Sequence, residues 1–479
     1  MDSNNQFSSD WVGVRDPWIG VDPDMGALRQ IVCQTFRISD SDCGPAIPVG
    51  VREYPSYARV YSFSLLGSRS VIARLVAPVK PLFKTEGEVA AMDFVRSRTS
   101  LPVPKVFAYS SEANPVGVEW VLMEYMPGVE LGEAWEALEY DKKTQFAVDL
   151  VDMYDQLSQL RAHCCGTIYH SARKFTDDLF LPTSSLSRNI RSPRWKPLSS
   201  DSLRSLRAHC NHPLDNSDGL YEIGPLQDCA LLQYPLIVPS PSQTAPVFTT
   251  TDYVRLLAYN GFPSSRSSFD KPTRDKCVEL FQSLHALYPH HPLFGPSADP
   301  FIFRFCHGDL HAGNILIDPA TGKITAIIDW ECAGFRPWWT GVEGIGWLEE
   351  DRERFLFGAD RPNNFADDNS NSSNPGPDSC LRAFFRTELH KRNPDLFSCF
   401  LGGVEMRALL HAATDEPRPL GESGIFLVLY EETGCWDENR RGPFPFDMTA
   451  WGWTRITLDE IERERIANAK KAATVSTSP

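Results

Sequence analysis

The chain has 479 residues, 42% of them hydrophobic and 23% charged, which supplies two or three packed units and argues against wholesale disorder. A net charge of -15 argues against a nucleic-acid partner, which wants the opposite balance, and mildly favours cationic small molecules. An anionic ligand would need its own local positive charges.

The twelve cysteines form no CxxC pair, so free thiols in a reducing compartment are expected. The start, MDSNNQFSSD, lacks the basic and apolar regions of a signal peptide. No apolar run approaches the roughly 18 residues of a membrane helix. The expectation is a soluble cytoplasmic protein without a membrane or nucleic-acid partner; its oligomeric state is not legible.

In chain order, residues 58 to 78 predict a hairpin, with Gly67 at the bend. KTEGEVAAMDFVRSR then predicts a helix with Val89, Met92 and Val95 on one face. Pro102 and Pro104 end it and start an extended segment. VEWVLMEYMPG predicts a further strand, stopped by Pro127 and Gly128. The pattern then turns helical: Phe146, Leu150, Met153, Tyr154, Leu157 and Leu160 fall at helical spacing, as a core helix would place them. Residues 170–250 are rich in Ser, Pro and Asn and are expected to form an irregular insertion. TTTDYVRLLAYNGF and RDKCVELFQSLHALY predict two more helices. Residues 361–379 are crowded with turn formers and predict a mobile loop, and 467–479 a frayed tail.

The stretch FRFCHGDLHAGNILIDPATGKITAIIDWE carries the chemistry. His307, Asp309 and His311 alternate, so a strand would face them one way, as a zinc or iron site would require. The chain offers no second histidine-rich segment to complete such a site; His290 and His291 sit in a proline-bracketed loop. Phosphoryl transfer asks for other parts: an acid near the attacking hydroxyl, hard oxygen ligands for Mg²⁺ and cationic support for phosphates. Asp309 follows the run FIFRF, Asn314 precedes the short strand ILI, Gly322 suits a turn, and Asp329 ends the returning strand. A hairpin of this size brings Asn314 and Asp329 to one edge, with Asp309 on the preceding loop.

HGDLHAGN followed by IIDWE resembles the catalytic pair of aminoglycoside phosphotransferases and related small-molecule kinases, with features of fungal members such as CGTIY and EIGPL. The resemblance covers about residues 50 to 350. It implies an α+β, bilobal, protein-kinase-like fold: a small sheet-plus-helix lobe and a larger, mainly helical lobe. The corresponding division is an N-terminal extension over 1–49, a nucleotide-binding lobe over 50–126 and a catalytic and acceptor-binding lobe over 127–479. The resemblance also implies ATP and Mg²⁺ as cofactors and a small-molecule hydroxyl, cationic in one reading, as acceptor. By carry-over Asp309 is the catalytic base, Asn314 and Asp329 hold Mg²⁺, and His307 braces the loop. Backbone groups near Glu124 and Met126 would bond the adenine.

The sequence departs from the family in two places. The strand that normally carries a phosphate-binding lysine has Arg74, with Lys80 and Lys84 as later substitutes. An ordinary surface arginine is the competing reading. Glu88 would pair with Arg74, unless Thr85 and Glu88 instead form a capping box; Glu86 is the next choice. The loop GVREYPSYARV has Gly50 but no glycine-rich run, which leaves Ser56 and nearby amides to meet phosphate. Glu331 is either a further ligand or a solvated strand-end acid. The alternatives to an ATP- and Mg-dependent phosphotransferase are a non-catalytic nucleotide-binding scaffold and a protein kinase, the latter disfavoured because no APE follows Asp329.

Overall fold

In the computed structural model, the described residues are 20–50, 57–67, 69–77, 82–171, 212–214, 219–228, 247–260, 302–342 and 377–402, with positions 18, 231, 275, 278, 282, 407 and 410. Ser56, Lys80, most of the helix expected from RDKCVELFQSLHALY, the tail, and Glu349, Glu350, Asp351, Glu405, Asp415 and Glu416, the acidic residues that the sequence offers to a cationic acceptor, lie outside them.

The stretch expected to be an N-terminal extension contains helix α1, Met25–Phe36, and strand β1, Ile47–Val49. Asp24 caps α1 by accepting the Ala27 amide at 2.9 Å, and Leu28, Ile31 and Val32 form its buried face. Strands β2 (Ala58–Leu65) and β3 (Arg69–Val76) make the expected hairpin, and Gly67 takes the positive φ of its bend. β4 (Val106–Ser110) and β5 (Glu119–Glu124) complete an antiparallel sheet of order β1-β2-β3-β5-β4.

The period-2 alternation of β3 sends its side chains to two places. Val71, Ala73 and Leu75 join Phe63, Trp120, Leu122 and the apolar face of α1 in an apolar outer core. Ile72 and Arg74 point the other way, toward helix α2, Phe83–Arg98.

Helix α2 is enclosed, with every residue from Phe83 to Met92 buried. Val89, Met92 and Val95 lie in the core as their spacing predicts. Glu88 pairs with Arg74 at 3.0 Å, and the alternative capping box does not form. The helix begins earlier, after Leu82 at φ 72, so Thr85 and Glu88 are both interior. A carboxylate from another strand serves the helix start instead: Glu119 of β5 accepts the Leu82 amide at 2.6 Å and the Thr85 hydroxyl. Gly87 is required by packing, because a Cβ there would sit 2.7 Å from the Thr167 methyl.

After the short strand β6 (Val129–Glu130) and the single turn α3 (Leu131–Ala134), the long helix α4, Tyr140–Gln159, buries Phe146, Leu150, Met153, Tyr154 and Leu157 as expected. β7 (Arg161–Ala162) and β8 (Thr167–His170) follow. Within the stretch expected to be irregular, β9 (His212–Pro213) and β10 (Tyr221–Gly224) form a sheet with β8. Helix α5, Thr250–Asn260, matches the sequence expectation.

The chemistry-bearing stretch folds into β11 (Phe303–Cys306), β12 (Ile315–Ile317), β13 (Ile324–Ile327) and β14 (Gly334–Pro337). β11 pairs between β14 and β7, and β12 between β13 and β6. Helices α6, Pro377–Arg392, and α7, Pro394–Gly402, complete the described chain. Of the segment expected to be a loop, 377–379 open α6, where Pro377 presets the first helical φ; the remainder lies outside the described residues. Arg392 of α6 pairs with Asp155 of α4 at 2.9 Å and also with Asp152. The architecture is the α+β, bilobal, kinase-like plan: a sheet with one enclosed helix, then a larger, mainly helical part.

Candidate active site

The loop after β11 and the segment after β13 are tied together by backbone bonds. Ile328 donates its amide to the Asn314 carbonyl at 2.9 Å, which sets Asn314 beside the start of the 328–333 segment. Gly308 takes φ +83, and a Cβ there would meet the Cys332 carbonyl at 2.1 Å, so only glycine lets the two segments approach this closely.

His307 locks the junction. Its Nε2–H donates to the Ile328 carbonyl at 2.9 Å, and its ring lies 4.7 Å from that of Trp330. Burial pushes its pKa down to about 4, so the ring is neutral at physiological pH.

Asp309 follows, half-buried, and its main-chain carbonyl accepts the Asn314 side-chain amide at 2.8 Å. That bond fixes the Asn314 amide plane. Its Oδ1 is then left buried, with no hydrogen-bond partner among the described residues. A buried, pre-oriented, unpaired amide oxygen is a hard ligand that wants a cation.

Asp329 sits at φ 64, ψ 60, an uncommon conformation outside glycine that Asp tolerates better than most. The conformation is held by long-range bonds. Arg74 Nη1 lies 2.7 Å from Asp329 and 3.0 Å from Glu88, and Nη2 binds Glu331. Lys84, from the first turn of α2, binds the same Glu331 oxygen. Arg74 is 6% exposed and Lys84 0%, so the surface reading of Arg74 does not hold. Glu331 is buried and doubly paired, so the solvated reading of that residue does not hold either.

Two cations therefore face three carboxylates, Glu88, Asp329 and Glu331. Burial outweighs Arg74 at Glu88 and pushes its pKa up to about 7. At Asp329 burial acts the same way, but Arg74 and Lys84 outweigh it and hold the carboxyl below its usual range. The excess negative charge calls for a proton on Glu88 or a cation nearby.

Among the described residues no group of three or more His, Cys, Asp or Glu is arranged to hold a metal ion. Asn314 Oδ1 and Asp329 do suit Mg²⁺, which takes one or two carboxylates and completes its shell with water and phosphate.

Glu124 ends β5, where its amide donates to the Lys105 carbonyl at 2.8 Å and its carboxylate pairs with Arg96 at 3.6 Å. Met126 follows, half-buried, in non-regular backbone. The structure thus gathers Arg74, Glu88, Asp329, Asn314, His307 and Asp309 around one junction, and puts Glu124 and Met126 at the end of the same sheet's fourth strand in order. The sequence names Lys84 and Glu331 as candidates but does not pair them. Their separation of 247 residues hides the contact from any local pattern.

The phosphotransferase enzyme family matches residues 54–210 and 255–342, just over half of the chain. The chain belongs to this family. A subtelomeric hrmA-associated cluster protein of Aspergillus fumigatus is 28% identical over 311 residues, 59% of this chain and 56% of the relative. The chain therefore spans about half the length of that curated relative. The mitochondrial altered inheritance of mitochondria protein 9 of Meyerozyma guilliermondii is 31% identical over 118 residues, 23% of this chain and 19% of that protein.

Among solved structures, a thermostable mutant of aminoglycoside phosphotransferase APH(4)-Ia in ternary complex with AMP-PNP and hygromycin B is 13% identical. It aligns over 85% of this chain and 96% of that one, with a TM-score of 0.39. APH(2")-IIa in ternary complex with streptomycin and ATP is 10% identical over 88% of this chain and 100% of that one, also with a TM-score of 0.39.

Proposed function

We propose that the protein is an ATP- and Mg-dependent phosphotransferase that moves the γ-phosphoryl group to a hydroxyl of a small molecule. The observation that carries this reading is the buried Asn314 Oδ1, unpartnered among the described residues, beside the Asp309 loop and the Asp329 segment. Family membership supplies the reaction class.

In this reading Asp309 accepts the proton of the acceptor hydroxyl as its oxygen attacks phosphorus. General-base assistance of this kind contributes typically about 10²–10⁴-fold. Asn314 and Asp329 would hold Mg²⁺, which when bound offsets triphosphate charge. His307, neutral and hydrogen-bonded to Ile328, keeps the loop and the metal segment in register. Arg74 fixes the Asp329 carboxylate against Glu88. At the adenine edge the Glu124 amide is already committed to Lys105, which leaves the hinge amide to Met126.

The test is turnover of ATP with Mg²⁺ across a panel of hydroxylated metabolites, with and without Asp309→Ala. Phosphorylated product that falls by about 10²-fold or more in the variant, the lower reach of base assistance, supports the reading. An unaffected rate removes Asp309 from the mechanism. A second reading, a nucleotide-binding scaffold, draws on one observation: Arg74 already engages three carboxylates. Mg-dependent ATP binding without any product across the panel would favour it.

A further inference from the structure

The phosphate-binding cation is the part of the site that the strand residue does not obviously supply. Arg74 meets Glu88, Asp329 and Glu331, so its planar fork is spent on carboxylates. Lys84 is placed differently. Among the described residues it meets one carboxylate, Glu331, and its ammonium keeps three rotatable donors.

The position of Lys84 is costly. It is the second residue of α2, at the helix end where the backbone dipole disfavours a cation, and it is fully buried. A buried ion pair is weak evidence for stability, because desolvation offsets the attraction. A structural tie between α2 and the 331 segment could be made with apolar side chains at lower cost. Lys84 also lies one helical turn before Glu88, so both project from the same face of α2 toward Arg74. Its Nζ stands 5.9 Å from the centroid of the Tyr57 ring, and Tyr57 belongs to GVREYPSYARV, the sequence that leaves Ser56 and nearby amides to meet phosphate.

We propose that the two cations have separate roles in one site. Arg74 is the positioning residue for Asp329, and Lys84 is the cation that takes the nucleotide's phosphate oxygens. Glu331 holds the Lys84 ammonium at the junction until phosphate competes for it. This inference rests on the phosphoryl-transfer reading above and assigns a residue within it.

The test uses the full chain and compares two ligands in the presence of Mg²⁺ by calorimetry: adenosine, and the β,γ-imido analogue of ATP. The parent protein binds the analogue more tightly than adenosine. In Lys84→Met the analogue weakens about tenfold or more, the loss expected for a hydrogen bond to a charged group, while adenosine affinity stays within about twofold. That retained adenosine binding also shows that the variant is folded. Lys84→Arg recovers part of the lost affinity, because charge is restored without the ammonium's shape.

If Lys84→Met keeps the parent's affinity for the analogue, or loses both ligands in proportion, Lys84 is a structural tie and the proposal falls while the nucleotide site stands. If the parent itself does not distinguish the two ligands, the phosphate-binding reading of the whole site falls and takes this proposal with it.

Discussion

Strand β3 borders two interiors built on opposite rules. On its outer side Val71, Ala73 and Leu75 pack with α1 and the far face of the sheet in an apolar core whose residues are interchangeable by shape and volume. On its inner side Arg74, one residue along the strand, enters a cluster of five ionisable groups in which each partner is specific. The outer core stabilises by removing apolar area from water. The inner cluster gains little net stability from its charges, since desolvation offsets their attraction, and it holds the side chains that the proposed function assigns to metal and phosphate. Stability and chemistry are thus separated by one residue of strand pleat.

Substitutions on the two sides should therefore fail in different ways. The largest effect belongs to Asp309→Ala: turnover should fall by about 10²–10⁴-fold, with the thermal midpoint close to that of the parent. Equal turnover in a steady-state assay would break the division at its active end. Next, Arg74→Met should cost about 3–5 kcal/mol in denaturant melts, because it leaves three carboxylates, with Glu88 and Glu331 buried, facing one lysine. Should Arg74→Met melt like the parent, the inner cluster is not the buried ion network described.

Leu75→Ala, on the outer side, should cost about 2–5 kcal/mol of stability by cavity formation and leave nucleotide affinity per folded molecule unchanged. A matched loss of affinity would show that the two sides are coupled.

The smallest effect is a pH dependence at Glu119. Burial pushes this carboxyl up to about 7, although Thr85 and Leu82 donate to it. The folded state therefore keeps a proton that the unfolded carboxyl releases near 4.5. The stability this contributes is complete below 4.5 and is lost as pH rises through about 7, on the order of 3 kcal/mol. Glu119→Gln should flatten the stability profile across that window, as followed by chemical denaturation at several pH values. A parent profile without this slope would place the carboxyl in a more solvated setting.

Much of the fold is legible in the sequence. The β2–β3 hairpin, α2, β5 and α4 follow from alternation, helical spacing and Gly67. Two helices beyond those expected also carry a local signal. α1 shows Leu28, Ile31 and Val32 at helical spacing after Asp24, and α6 shows Leu381, Phe385 and Leu389 at every fourth position with a basic last turn. The capping-box alternative at Thr85 does not form, although its local pattern is sound in isolation. What overrides it is Glu119, a partner from a strand that pairs in space but lies 34 residues away from Thr85 in the chain.

The order and spacing of Asp309, Asn314 and Asp329 were set by the sequence alone, because a loop, two short strands and a glycine turn within about twenty residues return the chain on itself by local geometry. Those same few residues also carry the family resemblance. Only the tertiary structure decided what surrounds them. Arg74 and Lys84 reach Asp329 and Glu331 across 247 to 257 residues, and such contacts leave no periodic trace in either segment. Whether a buried lysine is a surface substitute, a structural tie or a phosphate ligand depends on which charges stand within a few ångströms of it, and that is a property of packing.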